Sequence, residues 1–128
     1  MSESAQPDQQ PDTNGTSPQI SIEDFERVDI RVGRVLSAEP LAGARKPAYK
    51  LRIDFGAELG ERQSSAQLTA LYTPEQLVGT LVLAVVNFPP RRIAGFKSEV
   101  LTLGVANADG AVVVITPRGE APLGARLF

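Results

Sequence analysis

Residues 49–55 alternate strictly, with Tyr49, Leu51, Ile53 and Phe55 in one phase and Lys50, Arg52 and Asp54 in the other. A period of two puts the four apolar side chains on one face of an extended strand and the three charges on the opposite face, a division no helix makes. This segment is a half-buried strand with a mainly basic outer face, and the rest of the chain must supply its sheet. Residues 29–38 carry Ile30 and Val32 in one phase and Val35 in the other, with Gly33 at the break, which predicts a strand bent or bulged at that glycine. Residues 81–86 form a continuous apolar run of strand length, expected to be buried on both faces. Residues 62–68 read as a weaker strand after a turn at 56–60. Residues 99–105 and 111–116, joined by Asn107-Ala108-Asp109-Gly110, predict a hairpin.

Helix signals are few and short. Ser21 precedes Asp24 by three residues, and Ile20 and Phe25 are spaced to staple over the cap, which predicts a helix over 21–27. Thr73-Pro74-Glu75 supplies an N-cap, a first-turn proline and a first-turn acid, predicting one or two helical turns stopped at Gly79. Five or six short strands with one interposed helix and no βαβ rhythm predict an all-β fold. The expected form is a five-stranded Greek-key barrel of the OB type, with a short N-terminal helix and a C-terminal extension.

The chain has no Cys, His or Trp. That inventory excludes disulfides, thiolate or imidazole metal sites, and Ser-His or Cys-His nucleophile pairs. No apolar run approaches the roughly 20 residues that span a bilayer, and residues 1–19 lack the basic start and apolar core of a signal peptide. A soluble, unexported, cytoplasmic protein is expected. Residues 1–19 hold Glu3, Asp8 and Asp12 with no Lys or Arg, so they read as a disordered acidic leader to a domain over 20–128. The 13 basic and 12 acidic groups of that domain make it near-neutral, where the whole chain is at −2.

Chemistry concentrates in the stretch Asn87-Phe88-Pro89-Pro90-Arg91-Arg92-Ile93-Ala94-Gly95-Phe96-Lys97-Ser98, which joins two aromatics and three cations to a backbone-stiffening proline pair. No acid lies between Glu75 and Glu99. Such a stretch suits nucleic acid, with bases on rings and cations on phosphates. It equally suits an extended peptide laid over the rings. The plainer alternative has Phe88 and Phe96 plugging the barrel end beneath solvated cations. Arg45, Lys46, Lys50 and Arg52 make a second basic cluster, which would extend the first into one positive stripe if both share a face. Ser64-Ser65 could act as a nucleophile only beside Lys50 or Lys97. Asp24, Glu26 and Asp29 fit helix-terminus electrostatics better than a metal site.

The run Tyr72-Thr73-Pro74-Glu75-Gln76-Leu77-Val78-Gly79, the apolar strand after it, and then Asn87-Phe88-x-Pro90-x-Arg92-Ile93-x-Gly95-x-x-Ser98 resemble the OB-fold tRNA-binding domain of some aminoacyl-tRNA synthetases and small stand-alone proteins. Asp29-Ile30-Arg31-Val32-Gly33 is similar to that family's opening strand, and the resemblance runs from residue 22 to 128. Lys50, Ser65, Asn87, Pro90, Arg92, Gly95 and Ser98 match the family's motif residue by residue, which implies a shared binding surface. Departures narrow the resemblance. Arg45-Lys46-Pro47-Ala48-Tyr49-Lys50-Leu51 replaces a His-Pro-x-Ala-Asp-Lys-Leu pattern, Ser65-Ala66-Gln67 replaces Ser-Gly-Leu, Ala94 replaces an Arg, and Val100-Leu101 replaces Gly-Met. With Gln63-Ser64-Ser65-Ala66-Gln67 and Phe88-Pro89-Pro90-Arg91-Arg92, these resemble the CsaA branch of export-related, chaperone-like proteins.

That resemblance implies a cytoplasmic homodimer that binds unfolded or precursor polypeptides, with no catalysis, cofactor, metal or membrane partner. The expected groove is walled by Phe88, Phe96 and the Pro89-Pro90 backbone, rimmed by Arg92 and Lys97, with Gln63 and Ser65 on the same surface. The alternative ligand is tRNA or single-stranded RNA, its phosphates on Lys50, Arg52, Arg91, Arg92 and Lys97. Dimerisation is expected on separate grounds: the 21–27 helix, the 81–86 run and the 121–128 tail hold more apolar surface than so small a barrel encloses.

Overall fold

The computed structural model describes residues 17–128. The acidic leader expected over 1–19 therefore lies, for residues 1–16, outside the described residues. Helix α1 (Ile22–Glu26) is the first element of the described residues, and its predicted cap is present: Ser21 Oγ accepts from the Asp24 N–H, and the Asp24 carboxylate accepts from the Ser21 N–H. Strands β1 (Ile30–Pro40), β2 (Tyr49–Asp54) and β3 (Glu61–Ala66) follow, with one helical turn, α2 (Gly56–Leu59), where a simple turn was expected. Helix α3 (Pro74–Leu77) has Thr73 as N-cap in a full capping box and precedes strand β4 (Leu81–Val85). Then come β5 (Arg91–Ile93), β6 (Phe96–Ser98), β7 (Leu101–Thr102), β8 (Gly104–Ala106) and β9 (Val112–Val114).

The main sheet is antiparallel, with strand order β3-β2-β1-β4-β7. Strand β1 bridges its two halves, pairing β4 over residues 30–34 and β2 over 34–40. The sheet then curls on itself. Glu99 and Val100 N–H donate to the Gln63 carbonyl, the Ser65 N–H donates to Ser98 Oγ, and Thr102 Oγ1 donates to buried Ser64 Oγ, so β3 is joined to the 98–102 segment. The result is the nearly closed five-stranded barrel the strand pattern predicts, with β5–β6 and β8–β9 as separate hairpins.

The alternating segment behaves as its period requires. Tyr49, Leu51, Ile53 and Phe55 are buried, and Lys50, Arg52 and Asp54 are not. They meet Val35, Leu77, Val82 and Val100 in the principal core. All five residues of β4 are buried because its second face is covered by α1, the 103–115 region and the C-terminal tail, which form a smaller core around Ile30, Val32 and Leu83. The tail is clasped to β1: the Leu127 N–H donates to Ile30 O, the Gly124 N–H to Val32 O, and Arg31, paired with Asp29, to Gly124 O.

Two expectations are corrected. The irregularity of β1 falls between Val35 and Ser37, whereas Gly33 sits in regular register opposite Val82. The glycine is there for space: a Cβ on it would meet Ile53 and lie 2.8 Å from the Phe55 ring. The 99–116 hairpin is broken at Leu103, whose N–H donates to Leu83 O while its carbonyl accepts from Ile115. Residues 101–102 thereby join the barrel, and only 104–106 and 112–114 pair as a hairpin.

Candidate functional site

The 87–98 segment is a braced hairpin, where the sequence suggested a stiff loop. Asn87 fixes its root. The side-chain oxygen accepts from Asp29 N–H at 3.0 Å, and its amide donates to Arg27 O at 2.7 Å, locking the segment to the end of α1 and the start of β1. Phe88-Pro89-Pro90 leaves that anchor with φ fixed at both prolines. Strands β5 and β6 then pair Arg91 with Ser98, Arg92 with Lys97 and Ile93 with Phe96. The two turn residues, Ala94 at φ 51 and Gly95 at φ 80, both lie in the left-handed region, as a two-residue hairpin turn of type I′ requires. Ser98 Oγ is buried and holds β6 against β3 by accepting from Ser65 N–H. Asn87, Gly95 and Ser98, all expected on the binding surface, thus build the hairpin and its attachment, and of the three Ser98 also lines the groove described next.

Two adjoining grooves flank the hairpin. The smaller, of about 420 Å³, is lined by Phe88, Pro89, Pro90, Val100 and Leu101, with Ser65, Arg91, Ser98 and Glu99 supplying its polar atoms. Phe88 is 51% exposed and Leu101 43%, so neither seals the barrel. Phe96, expected as the second wall, is half-buried opposite Ile93 and does not line this groove; Val100 and Leu101 take its place. Glu99 is already engaged, its carboxylate accepting from Gln63 N–H at 2.9 Å.

The larger groove, of about 1030 Å³, brings together Arg45 and Lys46 from the β1–β2 loop with Arg91 and Arg92 from β5. No carboxylate lines it, and among the described residues none of the four cations forms a salt bridge. Arg92 also stands directly opposite Lys97 across the hairpin, a like-charge pairing that destabilises a ladder and is relieved by an anion. The two basic clusters therefore do share a face, through Arg45 and Lys46 of the one and Arg91 and Arg92 of the other. Lys50 lies 3.8 Å from the Glu39 carboxylate, and Arg52 pairs with Glu61, so the outer face of β2 is neutralised across the sheet. Arg45 and Lys46, present in the sequence as part of the second cluster, take the place given to Lys50 and Arg52. Gln63 contributes through its backbone and through an amide that donates to Lys97 O, both stitching β3 to β6. Ser64 Oγ is buried, donating to Ser65 O and accepting from Thr102, with Lys50 turned to Glu39. Among the described residues no group of acids is arranged to hold a metal ion, and no helix is long and apolar enough to cross a membrane.

Residues 30–126 match the family "Putative tRNA binding domain". Among solved structures, the chaperone CsaA of Bacillus anthracis is 51% identical with a TM-score of 0.81, all of that chain aligning with 87% of this one. The CsaA chaperone protein of Picrophilus torridus is 45% identical with a TM-score of 0.80, its full chain aligning with 86% of this one. A methionine--tRNA ligase of Chlorobium chlorochromatii is 43% identical over 103 residues, which are 80% of this chain and 14% of the ligase. The chain spans 14–17% of the length of such curated relatives.

Proposed function

This chain belongs to the tRNA-binding-domain family and is of its CsaA type, and on that premise we propose that it is a chaperone-like protein that binds unfolded or precursor polypeptides in the Phe88 groove. The observation that carries the reading is the half-exposed Phe88 ring on a Pro89-Pro90 backbone, lining one cleft with Val100 and Leu101. A large aromatic held at the surface by a rigid scaffold loses little entropy on binding and offers a desolvated anchor to an extended apolar segment. Because the chain has no Trp, a Trp-containing unstructured peptide reports its own binding by fluorescence. Phe88→Ala is expected to weaken such a peptide about tenfold, the usual effect of truncating an aromatic anchor. Equal affinities for wild type and variant would overturn the reading.

The basic groove favours a second ligand, tRNA or single-stranded RNA. Four cations without a carboxylate among them suit a phosphate backbone. If all four contact phosphates, the logarithm of affinity falls with that of salt at a slope of about −3 to −4. A flat salt dependence by gel shift or anisotropy would remove this reading.

The proposed working form is a cytoplasmic homodimer, serving client export and performing no catalysis. What supports the dimer is the exposed apolar side chains on α1 and on the C-terminal tail. Arg126 donates to Glu26 O and ties the tail to α1, and Ile22 of that helix is 64% exposed and Phe128 of that tail fully exposed. A second copy burying those side chains would complete the smaller core.

A further inference from the structure

We propose that the two grooves exclude one another, so that a phosphodiester polyanion seated on Arg45, Lys46, Arg91 and Arg92 displaces a polypeptide from the Phe88 groove. The inference rests on the polypeptide reading above for one of its two ligands. Its basis is that the grooves share part of their lining. Ser65, Arg91 and Leu101 line both. Any extended ligand longer than a few residues or nucleotides in either groove covers these three side chains, and the other ligand then loses part of its own lining.

Arg91 is the pivot. Its backbone cannot shift to serve both sides, because Pro90 precedes it and the ladder to Ser98 fixes it, while Ser98 is itself buried and bonded to Ser65. Only the exposed side chain is free to move. Drawn into the basic groove by phosphates, the guanidinium is joined there by Arg45, Lys46 and Arg92, whose mutual repulsion the polyanion relieves. No comparable attraction holds it on the apolar side, where the single carboxylate, Glu99, is bonded to the Gln63 backbone. A resident polyanion therefore keeps Arg91 and fills the space over Ser65 and Leu101. By linkage the effect is reciprocal: the factor by which RNA weakens peptide binding equals the factor by which peptide weakens RNA binding.

The test uses the full chain, a Trp-containing unstructured apolar peptide, and bulk tRNA. At low salt the apparent Kd of the peptide is expected to rise in proportion to free tRNA, about tenfold at ten times the Kd of tRNA, by the usual ratio of ligand to its dissociation constant. Raising salt until tRNA dissociates restores the original peptide affinity. Arg45→Ala with Lys46→Ala, two residues outside the apolar groove, flattens the salt slope for tRNA by about 2 and shifts the displacement curve to correspondingly higher tRNA, each curve being referred to that variant's own peptide affinity. A complex in which every protomer holds both a peptide and tRNA, or a peptide affinity unchanged at tRNA concentrations that saturate a gel shift, overturns the proposal. Absence of tRNA binding also overturns it. Absence of peptide binding before any tRNA is added overturns the polypeptide reading itself, and is a distinct result.

Discussion

Ala94 is the described non-glycine residue with positive φ, and it occupies a turn position where a Cβ is costly. Replacing it with glycine removes that strain while adding some freedom to the unfolded chain, so Ala94→Gly is expected to stabilise the protein by about 0.5–1 kcal/mol in denaturant unfolding. Gly33 presents the opposite case. Its φ is ordinary, but a methyl group there would enter space held by Ile53 and the Phe55 ring at the centre of the barrel. Gly33→Ala is expected to cost about 1–3 kcal/mol, as overpacking of a close-packed core does, with the midpoint shifted and the slope of the transition unchanged. The sequence marked Gly33 as special for bulge geometry. Its actual reason, closeness to side chains some 20 residues on, is a tertiary fact.

At the scale of elements, α1 is a five-residue helix whose cap decides whether it forms, since so short a helix has little intrinsic stability. The bond from the Ser21 backbone, aided by the Ser21 hydroxyl and Arg27, holds the Asp24 carboxyl below the usual carboxylate range. A carboxyl depressed by folding stabilises the fold above its unfolded pKa and ceases to do so as pH falls through its folded value. Amide protection at residues 21–24 is therefore expected to decline in acid, from about pH 4 downward, and Asp24→Asn to remove that acid dependence. The capping box was fully legible because its partners lie three residues apart. By contrast, the break at Leu103 carries no local signal; it arises because Leu103 bonds to Leu83 on one side and Ile115 on the other.

The described residues form a barrel with two adjoining grooves and exposed apolar side chains on α1 and the tail. The assembly proposed above rests on those exposed side chains. Ile22→Glu places a charge on the exposed side of α1 without touching either groove, so it is expected to give a monomer in light scattering at micromolar concentration while peptide affinity per chain is retained. A dimer mass for the variant would locate the interface elsewhere.

Charge followed the same division between local and distant. The sequence alone determined which segments are cationic and that they carry no interspersed acid. It could not determine which of those cations remain available, because Glu39 and Glu61 reach Lys50 and Arg52 only once β1, β2 and β3 lie side by side. Nor could it show that Asn87 is an anchor, since its partners are about 60 residues away. Strand period, caps and the absence of Cys and His are legible along the chain, so the sequence by itself settled the barrel and excluded thiol and imidazole chemistry. The meeting of Arg45 and Lys46 with Arg91 and Arg92, and their sharing of Ser65 and Leu101 with the Phe88 groove, belong to the tertiary structure alone, because closing the barrel is what brings those segments together.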